Sequence, residues 1–414
     1  MAHIRTGLRA GMAALALACG ASALAQSQAG DPPPAVVTMR DQLLNPAVNS
    51  FLFRQLRDVF ETRDVRHGTD IWELPQGVSI TMPTISFGGE QRSYDRFAED
   101  TFTNAMLVLQ DGKVVFENYR NRMGPDTRHI AFSMSKTLTA MLVGIAVERG
   151  EIASIDDRAD KYVPQLKGTG YDGVTVRQIL QMRSGVDYQE RYDFGANPSF
   201  AAKLHQQAIV LNRMRFASGA LETKRGNTPG STFNYSTLDT MVLGWVLEQA
   251  TGQKLEVQME QRIWQPLGAE ADGFWLADGS PQQQGRALNG MGFNATLRDF
   301  GRIGQLLLDG GRRGDRQIVP AAWVGQMTTM VPNGNERMPG YGFQTWQVDR
   351  EPGAYSAVGL AGQFIYVHPQ SRTVIVKLSY YPPVEPDSAL PETLAMFHAI
   401  TGANSRQARL PRGQ

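Results

Sequence analysis

Apolar positions along the chain follow two periods. Met134, Leu138, Met141, Leu142 and Ile145 are spaced i, i+4, i+7, i+8, i+11, one stripe of an α-helix. The stripe starts just after Ser133, and Gly150 stands where a helix C-cap is expected. Leu238, Met241, Val242, Trp245 and Val246 repeat the pattern and predict a helix over 237–250. Ser236 or Thr237 can cap it, and Gly252 can close it. Shorter helices are expected over 176–182, 254–266, 297–308, 319–330 and 394–400. Ala47, Phe51, Leu52, Leu56, Val59 and Phe60 predict an amphipathic helix over 47–62. The other period belongs to strands. Met106–Leu109 and Val114–Phe116 flank Asp111-Gly112, a short-range hairpin signal. Residues 341–348, 363–367 and 374–380 are strand-like, the last two joined by a turn at His368–Ser371. Residues 150–166 read as a surface connection. In 186–233, Tyr188, Tyr192, Phe194 and Phe200 mark either packed loops or an aromatic rim over a pocket.

Strands come first, then a helix-rich middle, then strands again. This order implies one α/β (α+β) domain over 47–402. Its α/β lobe takes in 47–150 and 331–402, and a mostly helical lobe spans 151–330. The 414 residues are ample for a large core. Residues 26–46, with Asp31-Pro32-Pro33-Pro34, are expected to be a flexible N-terminus of the mature chain, and 403–414 a polar tail.

The first 25 residues read as an export signal. Arg5 and Arg9 precede a short apolar run from Gly11 to Ala18, and Ala23-Leu24-Ala25 is an A-x-A cleavage site. The expectation is a periplasmic or secreted protein with no stable membrane span, because the run is too short for one. Cys19 is the only cysteine and lies inside this signal. A lipoprotein acylated at Cys19 is the lesser alternative, since Ala16-Leu17-Ala18 matches a lipobox poorly. Cleavage after Ala25 removes thiolate catalysis, zinc–thiolate sites and disulfides together. Without Arg5 and Arg9 the chain carries one more acidic than basic residue, and no basic stripe stands out. A nucleic-acid partner is therefore not expected.

Candidate chemistry gathers at the first helix. Ser133 and Lys136 form S-x-x-K, and residues three apart share a helix face. A serine hydroxyl needs a base beside it. Lysine becomes one when burial and a helix N-terminus lower its pKa. Unpaired N–H groups at the helix start can bind an oxyanion. The competing reading is that Ser133 only caps the helix. Ser135 lacks a lysine at i+3 and reads as support. Tyr235, just before the helix at 237, can point its hydroxyl into a cleft, and a nearby ammonium would lower its pKa. Gly359 and Gly362 at the head of a strand allow close backbone approach. The six histidines make no metal-ligand spacing, and there is no G-x-S-x-G elbow. No cofactor and no metal are implied.

Ser133-x-x-Lys136, Tyr235 and the stretch Gly359-Leu360-Ala361-Gly362-Gln363 together resemble the serine β-lactamase and penicillin-binding-protein superfamily. Met182–Gly185, Leu243-Gly244, Trp264–Gly268 and Ala295–Asp299 extend the resemblance over about residues 50–402. Within the superfamily the chain is most similar to the 6-aminohexanoate-dimer hydrolases and related class C β-lactamase-like amidases and esterases. The resemblance implies a β-lactamase/transpeptidase-like fold, an antiparallel sheet flanked by helices. It implies Ser133 as acylated nucleophile, Lys136 and Tyr235 as one coupled base, and the N–H groups of Ser133 and Leu360 as oxyanion hole. Tyr192, Glu190, Gly359 and Gly362 would lie beside a small amide or ester substrate.

Two positions depart from the family pattern. Thr237 stands where Tyr-x-Asn has asparagine. Ala357-Val358-Gly359 stands where lactamases carry Lys-Thr-Gly, and Val358 cannot bind a β-lactam carboxylate. This favours linear amides or esters over the rival reading of a β-lactamase or D-Ala-D-Ala carboxypeptidase. A non-catalytic penicillin-recognising sensor is the rival of another class. Oligomeric state is not legible.

Overall fold

The central sheet is assembled from both ends of the chain. In the computed structural model, which describes residues 31–349 and 351–407, eight antiparallel strands run in this order: Val331–Pro332, Gly340–Tyr341, Trp346–Gln347, Tyr355–Gly359, Gln363–His368, Thr373–Ser379, Thr103–Gln110, Lys113–Tyr119. The seam lies between Thr373–Ser379 and Thr103–Gln110, with Val374 opposite Leu109 and Val376 opposite Leu107. The hairpin expected at Asp111-Gly112 forms, with φ of 49° and 74° at those residues. A second antiparallel sheet joins Thr62–Val65, Gly273–Leu276, Phe293–Ala295 and His129–Ile130.

Side chains alternate across the main sheet, as strand geometry requires. Leu107, Leu109, Ile365, Val367, Val374 and Val376 join the larger core with the helices Met134–Glu148 and Leu297–Leu308. Met106, Val108, Phe364, Tyr366 and Ile375 turn to the other face, where Phe97, Met396, Phe397 and Ile400 cover them. The helix Leu297–Leu308 lies close to the sheet because it carries glycine at its contact. A Cβ on Gly304 would stand 2.4 Å from Val374 Cγ1, and one on Gly301 2.5 Å from Leu107 Cδ2. From Pro32 onward the chain makes one compact unit. Among the described residues no helix is long and apolar enough to cross a membrane.

The two long predicted helices form as Met134–Glu148 and Thr237–Thr251, the latter closed by Gly252 at φ 68°. Five expectations change. The helix over 47–62 is broken into a turn of α-helix at Asn49–Leu52, a 3-10 turn at Leu56–Asp58 and a strand from Thr62. Its apolar residues do reach the core, but Phe53 is drawn into an edge contact with Phe132 at 4.9 Å and its carbonyl accepts from Ile130 N at 3.2 Å. Tertiary contacts thus override the helical spacing. Residues 341–348 are two short strands separated by a turn with Gln344 at φ 54°. The connection 150–166 is not a surface segment, since Ile152, Val163 and Leu166 are fully buried.

The segment expected to be flexible over 26–46 contains the helix Pro34–Asp41 in its described part. Arg40 anchors it, donating to Val59 O at 2.7 Å, Val210 O at 3.0 Å and Asn212 Oδ1 at 2.5 Å. The closing helix runs Ala389–Gln407 and so extends into the expected tail. The proposed signal over 1–25 lies outside the described residues.

Candidate active site

Ser133 stands at the head of the helix Met134–Glu148, with φ −68° and ψ −7°, and its hydroxyl makes no capping bond. Ser236, by contrast, caps its helix by accepting from Asp239 N at 3.1 Å. The capping reading of Ser133 therefore fails, and its Oγ is left for Lys136. Phe132, immediately before it, is held at φ 44°, a left-handed conformation that a bulky residue adopts only when its surroundings enforce it. Ala131 N donating to Phe293 O at 2.8 Å fixes this turn from behind. Ser135 is a support, its buried hydroxyl accepting from Phe293 N at 3.0 Å.

Lys136 is buried, and its Nζ has three partners: Ser133 Oγ at 3.0 Å, Thr237 Oγ1 at 3.0 Å and Gly290 O at 2.7 Å. Gly290 O can only accept. Thr237 Oγ1 donates to Glu190 Oε1 at 2.8 Å, so toward Lys136 it too accepts. A neutral amine has two N–H donors and one lone pair. As an ammonium Lys136 donates to all three oxygens; once neutral it can keep the bonds to Thr237 and Gly290 and turn its lone pair to the Ser133 hydroxyl. Burial lowers the Lys136 pKa to about 8, against an opposing pull from the Glu190 charge. The geometry suits a base that is partly neutral near physiological pH.

Tyr235 completes the group. Burial pushes its pKa up, although a hydrogen bond with Ser133 pulls the other way. The expected lowering by an adjacent ammonium is overturned, because Lys136 Nζ lies over the ring face, 5.0 Å from its centre. The phenol therefore stays protonated beside Ser133. Trp346 backs the ring at 5.3 Å.

The backbone N–H groups of Ser133 and Leu360 donate to no acceptor among the described residues. Gly359 brings their segments together: a Cβ there would lie 2.2 Å from Ala131 O. Gly362, at φ 82°, faces the Tyr381 ring, where a Cβ would fall 2.5 Å from Cζ. Close packing thus requires glycine at both positions, against backbone at Gly359 and against the Tyr381 ring at Gly362.

Glu190 and Tyr192 reach the same site, but Glu190 is spent on the protein. Its carboxylate accepts from Thr237 N at 2.6 Å, from Thr237 Oγ1 and from the Tyr192 hydroxyl. Tyr192 stacks with Phe194 at 6.3 Å, and His205 meets both rings edge-on. Tyr192 and Phe194 remain 37% and 57% exposed, an exposed aromatic pair tied to the site through Glu190. Val358, half-buried, packs with Phe233 and Met338 against the core around Tyr341 and Trp346. His129 is structural: it is buried, its Nε2 lies 3.2 Å from Asn104 Nδ2, and burial lowers its pKa to about 4. Sequence reasoning missed Gly290, whose contribution is a backbone carbonyl with no side-chain signature. Thr237 was noticed only as a departure, and the structure makes it the link between Lys136 and Glu190.

The sequence matches the Beta-lactamase family over residues 96–398. It is 32% identical over 306 residues to a 6-aminohexanoate-dimer hydrolase of Paenarthrobacter ureafaciens, covering 70% of this chain and 75% of that one. Esterase EstB of Burkholderia gladioli is 32% identical over 165 residues, 38% of this chain and 41% of its own. A solved structure from Bacillus anthracis, assigned as a 6-aminohexanoate-dimer hydrolase, superposes with a TM-score of 0.79 at 25% identity, covering 92% of this chain and all of that one. With the antiparallel sheet and its flanking helices, these likenesses establish that the chain belongs to the Beta-lactamase family and is one of its serine hydrolases.

Proposed function

We propose that this hydrolase cleaves a small linear amide or ester through an acyl-enzyme on Ser133. The observation that carries the reading is the placement of buried Lys136, whose Nζ is held by Thr237 Oγ1 and Gly290 O and lies 3.0 Å from the Ser133 Oγ. Ser133 Oγ attacks the carbonyl carbon while its proton passes to Lys136 Nζ. The N–H groups of Ser133 and Leu360 receive the oxyanion, and one such donor is worth about 10²–10³ in rate. The C–N or C–O bond then breaks, and the proton returns through the Lys136–Tyr235 pair to the departing amine or alcohol. Water repeats the sequence on the acyl ester and frees the acid.

Val358, which offers neither a cation nor a hydroxyl, favours linear amides or esters over β-lactams, whose ring carboxylate such groups would bind. The similarity to a 6-aminohexanoate-dimer hydrolase and an esterase supports the same choice. The basic, apolar and A-x-A segments of the first 25 residues support export, which N-terminal sequencing of periplasmic or secreted protein tests.

The deciding experiment mixes the protein with p-nitrophenyl butyrate, follows nitrophenol and takes mass spectra. A burst, a butyryl adduct on Ser133 and steady turnover are expected. An adduct that never clears would instead indicate a sensor, and absence of any adduct on esters, amides and β-lactams would refute the covalent mechanism.

A further inference from the structure

Gln363 closes the block Gly359-Leu360-Ala361-Gly362-Gln363, and no step above uses it. Its side chain is fully buried directly behind the turn that carries the Leu360 N–H. Its amide nitrogen lies 3.1 Å from Leu360 O, 3.0 Å from Ala361 O and 2.7 Å from Ser379 O. Its amide oxygen accepts from Ser379 N at 2.9 Å. One side chain thus ties two successive carbonyls of the turn to the neighbouring strand Thr373–Ser379.

The turn needs such a tie. Ala361 and Gly362 both have positive φ, 59° and 82°, and the alanine is disfavoured there. Leu360 is 53% exposed, so burial of its own side chain does little to hold it. Tyr381 N adds one bond to Ala361 O at 3.2 Å. Just before Leu360, Gly359 is paired with Gln363 in the sheet and backs so closely on Ala131 O that a Cβ would stand 2.2 Å from it. With that side fixed and the two following carbonyls held, the Leu360 peptide has little freedom to rotate. An oxyanion donor is effective only when it is preorganised and does not reorient during reaction.

We infer that Gln363 is a positioning residue that holds the Leu360 N–H in place for the oxyanion of the acylation and deacylation steps. It touches no substrate. The inference rests on the acyl-enzyme reading above, and its test separates the two.

The experiment compares wild type with Gln363→Leu, which keeps much of the volume and removes every amide bond. Active sites are counted by the nitrophenol burst, and acylation is timed per active site. The infrared stretch of the acyl-enzyme carbonyl is then recorded. The variant should acylate about 10- to 100-fold more slowly per site, less than the roughly 10²–10³-fold cost of removing one oxyanion donor outright, because the N–H is misplaced and not lost. KM should change little, and the carbonyl band should move to higher frequency as its hydrogen bonds weaken. A purely structural role would lower the melting temperature and the count of active sites, leaving the rate per site and the band unchanged; that result overturns the inference. Absence of a Ser133 adduct in wild type would overturn the acyl-enzyme reading itself.

If Gln363→Leu does not fold, Gln363→Glu carries the test. Its carboxyl can donate one bond while protonated, and repels the three carbonyl oxygens once ionised. Its rate per site, relative to wild type, should fall as pH rises. A ratio constant with pH and close to one overturns the inference.

Discussion

The protein contains two buried lysines with matching surroundings and opposite prospects. Lys136 contacts a serine, a threonine and a carbonyl, and lies 5.0 Å from the ring centre of Tyr235. Lys377, on the far face of the main sheet, contacts the Ser379 hydroxyl and Thr101 O at 2.9 Å, and lies 4.9 Å from the ring centre of Tyr381. Burial lowers both pKa values, that of Lys377 well below the ordinary lysine range. A lysine, a serine and a tyrosine thus meet twice. Only the first set has a strained turn beneath the serine, unpaired N–H groups beside it and an exposed aromatic pair tied to it. Ser379 and Tyr381 are sealed, and Tyr381 turns its hydroxyl to Thr393 at 2.9 Å. A lowered lysine pKa therefore marks burial, and access plus oxyanion donors mark chemistry.

Substitutions should separate the two clusters. Ser133→Ala should abolish turnover of p-nitrophenyl butyrate with an unchanged melting temperature, whereas Ser379→Ala should leave the rate within about threefold, since groups remote from the reacting atoms contribute little transition-state binding. Wild-type activity in Ser133→Ala would end the comparison. Lys136→Ala and Tyr235→Phe should each lower kcat by about 10³ or more, and the double variant should lose little beyond the worse single one, because the groups act as a unit.

A smaller effect concerns pH. Lys136 must be neutral to accept the proton, so kcat/KM should rise with pH through about 8. The Glu190 charge raises that pKa, so Glu190→Gln should move the midpoint of the rise to lower pH. An unmoved midpoint would remove Glu190 from the proton-handling group.

The smallest effect on activity belongs to Lys377→Met, with kcat/KM near wild type and a signature in stability alone. Native Lys377 has a lowered pKa, so the unfolded chain binds more protons from that value up to the ordinary lysine range. Stability therefore rises with pH across that window. Denaturant midpoints measured from pH 8 to 10 should rise less steeply in Lys377→Met than in wild type. Equal slopes would show that Lys377 is charged in the folded protein.

What could be read without coordinates was whatever local pattern carries. The helix behind Ser133, the hairpin at Asp111-Gly112 and the Ser133–Lys136–Tyr235 set are of this kind. The 47–62 segment was misjudged because its apolar residues serve a contact with Phe132 and Ile130 that lies far along the chain. Arg40, in a segment with the composition of a flexible tail, is an anchor because four acceptors from distant residues converge on it. Gly290 and the Thr237–Glu190 link were invisible for the same reason: one is a backbone atom, and the other joins residues that only folding brings together. Tyr235 lies beside Lys136, but its protonation depends on whether Lys136 meets the ring or the hydroxyl, a matter of side-chain direction.

The seam between the sixth and seventh strands of the main sheet has a consequence for synthesis. Thr103–Gln110 finds its inner neighbour only when Thr373–Ser379 has been made, and contacts so distant in sequence form late. A nascent chain holds the nucleophile, its base and the tyrosine long before it holds the sheet that supports them. Gln363 likewise waits for Ser379. Ribosome-bound chains arrested before Thr373 should be digested rapidly by protease and take up no butyryl group, whereas chains arrested beyond the ordered C-terminal helix with a spacer should resist and react. The hydrolase would then be silent through most of its own translation, armed by the last of its described strands to emerge.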